Sequence, residues 1–126
     1  TVDDPELLEL VKLRASQVNG CAFCVQYHLT LARTLRVSRE KLDLLVAWRD
    51  APVFSDRERA ALAWTEALTD VGLGVEDEDF EDARAFFSEA HLAHLSSAVA
   101  LINAWNRLAI GFRFAPEPPG PRAVET

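Results

Sequence analysis

The sequence predicts an all-α fold, a single-domain bundle of about six helices. Apolar residues recur at the i, i+3, i+4 spacing of a helix through most of the chain, for example at Ala60, Ala61 and Trp64. Glycine, proline and hydroxyl residues divide these stretches at short intervals, as helix caps and breaks do. No stretch alternates polar and apolar residues over the length of a strand. Together these observations favour helices joined by short turns.

The first helix is predicted to begin at Asp3 or Asp4. Pro5 suits a first helical turn, where its missing N–H group costs nothing. The Asn19-Gly20 pair ends this helix, because both residues tolerate the left-handed conformation of a helix cap.

The other five helices are predicted from similar caps and breaks. Ser38 is the expected N-cap of the third helix, and Ser55 with Glu58 forms an S-x-x-E capping box at the start of the fourth. The predicted ranges are from Cys21 or just after it to about Leu35, about 39–48, from Ser55 to Gly72 and Gly74, about 77–89, and about 92–113.

The length and composition indicate one folded domain, residues 1–114, followed by a tail, residues 115–126. A chain of 126 residues with 49% hydrophobic residues can bury one core and is short for two. The tail is predicted to be extended or disordered because it is rich in helix breakers, namely Pro116, Pro118, Pro119, Gly120 and Pro121.

The charge of the chain argues against nucleic acid and membranes as partners. The net charge is −7, and binding to phosphate groups needs clustered lysine and arginine. The longest apolar stretch, residues 95–110, contains two serines, two asparagines and an arginine, and is predicted to be a buried helix and not a membrane span. The chain begins at Thr1 without any methionine, so we expect its natural start to lie upstream. The first 30 residues lack a signal-peptide pattern, which favours a cytoplasmic location.

Cys21 and Cys24 are the only cysteines, and His28 follows four residues later. At the start of a helix all three lie near one face, and the two cysteines are close enough to be bridged. The positive end of the helix dipole lowers the pKa of a thiol from about 8.5 towards neutrality. His28 can take up a thiol proton, so the spacing indicates a reactive dithiol.

The cysteine pair has four other possible interpretations. A structural staple is disfavoured because so short a loop removes little entropy from the unfolded chain. A zinc site needs a fourth ligand, from His91, His94 or a carboxylate, and the chain has no second C-x-x-C pair. A purely structural interpretation is that both cysteines are buried in the core and that the histidine is hydrogen-bonded there. A thioredoxin fold is excluded because no strands are predicted.

Residues 9–28, ELVKLRASQVNGCAFCVQYH, closely resemble the core motif of the alkylhydroperoxidase D-like family, within the carboxymuconolactone decarboxylase superfamily. Residues 47–70 and 102–110 are similar to later segments of that family, so the resemblance covers most of the chain except the tail. It implies an all-α fold, a homo-oligomer such as a trimer or hexamer, and a thiol peroxidase activity that needs neither a cofactor nor a metal. The decarboxylase branch lacks the cysteine pair, so decarboxylation is not expected.

The resemblance also implies a role for each site residue. Cys24 corresponds to the peroxidatic cysteine, which attacks a hydroperoxide, and Cys21 to the resolving cysteine, which then forms the disulfide. Glu9 and His28 correspond to the groups that relay protons to and from the thiols. A dithiol protein would serve as reductant. Phe23 stands where the best-studied members carry a histidine, and its ring supplies no proton-transfer group.

A redox relay or sensor with little peroxide turnover is the alternative function. Its disulfide state would change contact with a partner protein, and fast dithiol exchange with slow peroxide consumption would favour it. Elsewhere, Trp48, Trp64 and Trp105 are predicted to be core or subunit-interface residues. His91 and His94 are predicted to cap the last helix or lie on the surface. Three polar residues within that helix, Asn103, Asn106 and Arg107, are predicted to tie helices or subunits together.

Overall fold

The computed structural model describes residues 4–118, and it contains six α-helices and no strand within that range. The helices are α1 (Pro5–Asn19), α2 (Ala22–Thr34), α3 (Arg39–Leu44), α4 (Asp56–Thr69), α5 (Asp77–Phe86) and α6 (Glu89–Gly111). Short 3-10 turns follow α3 (Leu45–Ala47) and α4 (Val71–Leu73). The prediction of an all-α fold with about six helices is confirmed.

Helix α1 lies at the centre of the bundle and packs against α2, α4 and α6. Its buried residues contribute to two apolar clusters. One joins α1 to α4, α5 and α6 through Leu7, Val11, Ala61, Trp64, Ala83, Phe87, Leu95 and Val99. The other joins α1 to α2, the turn after α3 and α4 through Leu10, Leu13, Ala32, Leu45, Trp48, Phe54 and Leu62. Trp48 and Trp64 are therefore core residues, as predicted.

The ends of α1 and the start of α4 form where the sequence predicts them. The Asp4 side chain accepts the N–H of Leu7 at 3.3 Å and caps α1. Gly20 has φ 72°, the left-handed conformation that ends a helix, and the turn passes directly to Cys21. Ser55 and Glu58 make both hydrogen bonds of the predicted capping box.

A buried network of polar side chains holds the end of α1 against α6. The side-chain N–H₂ of Asn19 donates to the Oδ1 atoms of Asn103 and Asn106, both at 2.9 Å. Asn106 in turn donates to the Ser16 hydroxyl at 3.0 Å, and Arg107 donates to Asn103 Oδ1 at 3.1 Å. The prediction that these polar residues tie helices together is confirmed for Asn103 and Asn106, whereas the hydrogen bonds of Arg107 go to Asn103 on the same helix. Because Asn19 directly precedes the turn, the network also places the first cysteine.

Glu66 on α4 joins three elements through a second polar cluster. Its Oε2 accepts hydrogen bonds from Arg14 Nε and Trp48 Nε1, each at 2.8 Å, and its Oε1 accepts one from Arg49 at 2.9 Å. Burial raises the pKa of this carboxyl, but the hydrogen bonds from Trp48, Arg14 and Arg49 outweigh burial and hold the pKa below its ordinary value.

The predicted third helix, 39–48, is wrong in its last turn. Ser38 caps it as predicted, but the α-helix ends at Leu44 and the chain tightens into a 3-10 turn. In that turn Leu45 and Trp48 lie on one side, and both are buried. After this turn the Arg59 guanidinium of α4 donates to the carbonyls at 48, 49 and 51 and holds the chain there.

The predicted boundary between the last two helices is also wrong. Helix α5 ends at Phe86 instead of about 89, and α6 begins at Glu89 instead of about 92. The Ser88 hydroxyl accepts the His91 N–H at 3.1 Å and acts as the N-cap of α6. His91 and His94 therefore lie in the first two turns of α6.

Residues 115–118 are in neither a helix nor a strand, and residues 119–126 lie outside the described part of the chain. The extended or disordered tail therefore stays a prediction. Between residues 4 and 118, none of the helices combines the length and the apolar character needed to cross a membrane.

Candidate active site

The turn between α1 and α2 brings the two cysteines together. Cys21 is the N-cap of α2, and its sulfur accepts the N–H of Cys24 at 3.3 Å. The Cα atoms of the two residues are 5.3 Å apart, and the sulfurs form a disulfide. The first turn of a helix thus holds both sulfurs in the geometry that a disulfide requires.

The two cysteines differ in what they face. Both are buried, with 2% of Cys21 and 4% of Cys24 exposed. Cys24 lines a cavity of about 470 Å³, whereas Cys21 is not among the residues that line it and packs in a buried cluster with Ala109 of α6. A small molecule in the cavity therefore meets Cys24 and not Cys21.

Glu9 and His28 form a buried pair between α1 and α2. His28 Nδ1 lies 2.8 Å from Glu9 Oε1, and Lys12 Nζ lies 3.5 Å from Glu9 Oε2. Burial raises the pKa of the Glu9 carboxyl, but the hydrogen bond to His28 and the charges of His28 and Lys12 outweigh burial and lower it overall. Glu9 is thus a carboxylate at neutral pH.

The charge of Glu9 determines which ring nitrogen of His28 carries the proton. A carboxylate only accepts hydrogen bonds, so Nδ1 must donate, and Nε2 of the neutral ring is left as the acceptor. His28 follows Cys24 by four residues on α2, which places the two side chains on one face, and both line the cavity. The four predicted site residues therefore lie together, and Glu9 contacts the cavity lining through His28 and Lys12.

The remaining walls of the cavity are almost entirely apolar. They come from α1, from α2, from α6 and from the chain that follows α6, and the lining residues besides Cys24 and His28 are Lys12, Phe23, Tyr27, Ala98, Leu101, Ile102, Trp105, Ala109 and Phe114. Phe23 lies directly against the cysteine pair. The cavity thus presents one cysteine, one histidine and one lysine in a large apolar surface.

Trp105 is not in the core, one of its two predicted places, and its place at a subunit interface stays a prediction. It is 53% exposed and lines the cavity, so it belongs to the site and not to the core. Four other residues that line the cavity were not predicted as site residues, namely Lys12, Tyr27, Leu101 and Phe114. Tyr27 had a usable signal, since it follows Phe23 by four residues on the face that carries Cys24.

The two remaining histidines lie elsewhere. His91 and His94 line a small cleft with Arg57 and Phe87, apart from the cavity beside Cys24. Among residues 4–118, no three histidine, cysteine or acidic side chains are grouped so that they could hold a metal ion.

The chain is similar to uncharacterized bacterial proteins along most of its length. It is 36% identical to YdfG of Bacillus subtilis over 103 residues, which are 81% of this chain and 70% of YdfG. It is 33% identical to YnjA of Escherichia coli over 100 residues, which are 79% of this chain and 55% of YnjA.

A solved structure has the same fold. It is that of a protein of unknown function from Agrobacterium tumefaciens, described as a candidate antioxidant defence protein AhpD. The two structures superimpose with a TM-score of 0.90 and 39% sequence identity, over 92% of this chain and 80% of that one.

The family comparison includes the whole α1–turn–α2 unit that carries the site. The carboxymuconolactone decarboxylase family model matches residues 4–67. With that match and the identity to YdfG, the chain belongs to the carboxymuconolactone decarboxylase family.

Proposed function

We propose that this protein is a thiol-dependent peroxidase that reduces organic hydroperoxides with the Cys21–Cys24 pair. One observation carries the proposal. Of the two disulfide-bonded sulfurs, only that of Cys24 faces the cavity, where it is joined by a histidine whose Nδ1 is held by a buried carboxylate. The similarity to a candidate antioxidant defence protein at 39% identity supports the same class of activity.

In the first step the Cys24 thiolate attacks the terminal oxygen of a hydroperoxide, ROOH. The S–O bond forms as the O–O bond breaks, so Cys24 is oxidised to a sulfenic acid and the peroxide is reduced. The alkoxide leaving group takes up one proton and departs as the alcohol, ROH. The third position of α2 favours the thiolate, because the unpaired N–H groups there present partial positive charge.

In the second step the thiol of Cys21 attacks the Cys24 sulfenic acid. A disulfide forms, and the hydroxyl leaves as water after it takes up the thiol proton. The first turn of α2 already holds the two Cα atoms 5.3 Å apart, so the step needs little movement of the backbone. A dithiol protein would then reduce the disulfide by exchange and become oxidised itself.

His28 would act as the proton carrier for both steps. Its Nε2 can take the thiol proton of Cys24 and return a proton to the leaving alkoxide. Glu9 would position the ring and stabilise its protonated form, since its Oε1 lies 2.8 Å from Nδ1. Phe23 cannot carry a proton in place of His28, because its ring has no atom that takes up or releases a proton.

The test is consumption of an organic hydroperoxide by the reduced protein with a dithiol as electron donor. We expect the wild-type protein to consume peroxide and Cys24→Ser to lose the activity, with Val25→Ala as a neighbouring control that leaves both cysteines in place. Full activity in Cys24→Ser would refute the mechanism. Slow peroxide consumption together with fast exchange against a dithiol protein would instead indicate the redox relay.

The same proposal includes a homo-oligomer and a reducing location. Two large apolar side chains on α6, Leu101 and Trp105, are more than half exposed. Surfaces of this kind are commonly covered by another protein chain, and a second copy of this chain is the simplest partner. Light scattering during size exclusion would give the number of subunits. A cytoplasmic location fits a pair that depends on reduced dithiol proteins.

A further inference from the structure

The chain that follows α6 folds back over the cavity beside Cys24. The turn is built by two hydrogen bonds, from the Arg113 N–H to the Ile110 carbonyl at 3.2 Å and from the Phe114 N–H to the Ala109 carbonyl at 2.9 Å. Arg113 has φ 63°, the left-handed conformation that reverses the chain after a helix. The reversal sends the following residues back towards α2.

Phe114 is the residue of this segment that reaches the site. It lines the cavity together with Cys24, and its ring meets the Phe23 ring edge-on, with centroids 5.5 Å apart and planes at 77°. This is a favourable arrangement for two aromatic rings. Phe114 is nevertheless 48% exposed, so an apolar molecule in the cavity can cover part of its surface. By contrast Phe112, two residues earlier, is 73% exposed and does not line the cavity.

A side chain on α2 holds the end of the same segment. The N–H of Glu117 donates to Gln26 Oε1 at 2.6 Å, and the side-chain N–H₂ of Gln26 donates to the Glu117 carbonyl at 2.9 Å. Gln26 thus pairs with the main chain of residue 117 as a strand would. Gln26 does not line the cavity itself, so any effect it has on the site must act through the segment it holds.

We propose that residues 113–118, the C-terminal strap, determine which hydroperoxides the protein prefers. Phe114 is the specificity-determining residue, which contacts the organic group of the substrate while the peroxide end meets Cys24. Gln26 is a positioning residue that keeps the strap in place. The inference rests on the proposed function and adds to it the residues that favour an apolar organic hydroperoxide over hydrogen peroxide.

The first experiment compares kcat/KM for cumene hydroperoxide and for hydrogen peroxide. In Phe114→Ala the ratio of the two values should fall about tenfold, because the lost aromatic contact serves only the organic substrate. In Phe112→Ala, the matched control, the ratio should stay within about twofold of wild type. Equal ratios in the two variants would overturn the role of Phe114.

The role of Gln26 is tested by a matched pair at residue 117. Glu117→Pro removes the N–H that Gln26 accepts, between two residues that are already proline, whereas Glu117→Ala keeps the N–H and removes only the side chain. Gln26→Ala and Glu117→Pro should both lower the substrate ratio, by about threefold, since an exposed pairing contributes modestly. Glu117→Ala should not change it. The same ratio in Glu117→Pro and Glu117→Ala would overturn the positioning role.

A second readout keeps the strap testable apart from peroxidase activity. In reduced Cys21→Ser protein Cys24 is the only thiol, so its alkylation by N-phenylmaleimide and by iodoacetamide can be compared directly. Adding Phe114→Ala should lower the ratio of the two rates about tenfold, and adding Phe112→Ala should not. If wild-type protein consumes no peroxide but this ratio falls, the proposed function fails and the strap stands. An unchanged ratio in both variants contradicts the strap, whatever the peroxidase result.

Discussion

The pairing of Glu9 with His28 is the part of the site whose removal has the clearest expected size. In Glu9→Gln the side chain keeps its shape but loses its charge, and its amide can no longer select the ring proton of His28. The contact is short, at 2.8 Å, and both residues are buried. A hydrogen bond to a charged group contributes about 1.5–3 kcal/mol. If that contribution serves the protonated ring in the transition state, its loss lowers kcat/KM for an organic hydroperoxide about 10- to 150-fold.

The assay is peroxide consumption at neutral pH by reduced protein with a dithiol donor in excess. Glu6→Gln is the matched control, because Glu6 lies on the same helix one turn earlier, is exposed, and makes none of the site contacts. It should retain wild-type activity. Far-UV circular dichroism and a thermal melt show whether either variant has lost the fold. A folded Glu9→Gln protein as active as Glu6→Gln would refute the proposed relay through His28.

Three further predictions concern the cysteines, an ion pair and a turn. Cys21→Ser should react once with peroxide and retain a sulfenic acid on Cys24 that a sulfenic-acid-specific probe labels, whereas Cys24→Ser should remain unlabelled; equal labelling of the two variants would contradict the assigned roles. Because the folded-state pKa of Glu66 lies below its ordinary value of about 4.5, its charge stabilises the fold above that pH and ceases to do so as pH falls through the lowered pKa. The difference in free energy of unfolding between wild type and Glu66→Gln, about 1–3 kcal/mol at pH 7, should therefore shrink below pH 4.5 in urea titrations; a difference that is constant with pH would contradict this. Gly20→Ala should lower the free energy of unfolding by about 1 kcal/mol because alanine disfavours a positive φ. Gly111→Ala, at the end of α6 without a positive φ, should not destabilise the protein. Neither added Cβ would contact a neighbouring atom, so equal losses of stability in the two variants would contradict the backbone explanation.

The reactive part of the site could be predicted from the sequence because it is built locally. Cys21, Cys24 and His28 are separated by three and four residues on one helix, so helical geometry alone places them together. Glu9 reaches them because only Gly20 and Cys21 separate α1 from α2, so that α1 folds back beside α2. Each of these relations depends on caps and spacings that are written in one stretch of 20 residues.

The rest of the cavity could not be predicted because its walls come from distant parts of the chain. Trp105 and Phe114 meet Cys24 only after α6 has packed against α1, and that packing depends on the buried contacts of Asn19 with α6. An apolar helical pattern predicts burial for Trp105, and nothing local indicates that it faces a cavity. The chain reversal at Arg113 could not be predicted either, because the left-handed conformation after a helix is usually adopted by glycine and not by arginine.

The end of α3 and the start of α6 both differ from the prediction, and their causes are different. Helix α3 ends early where Leu45 and Trp48 pack into the core through a 3-10 turn, and Arg59 of α4 donates to the carbonyls just after that turn. The start of α6 was within reach, since Ser88 followed by Glu89 is a recognisable cap and first turn. Contacts with another element can thus shorten a helix such as α3, whereas the start of α6 has a local signal at Ser88.

Thiol titration of the reduced protein, before and after one equivalent of an organic hydroperoxide, tests the central claim most directly. The two thiols of the chain should both be present before addition. After it, both should be lost within the time of a single turnover, with one equivalent of alcohol released and the Cys21–Cys24 disulfide found by mass spectrometry. Two thiols that persist in the presence of peroxide, in folded protein, would contradict the account.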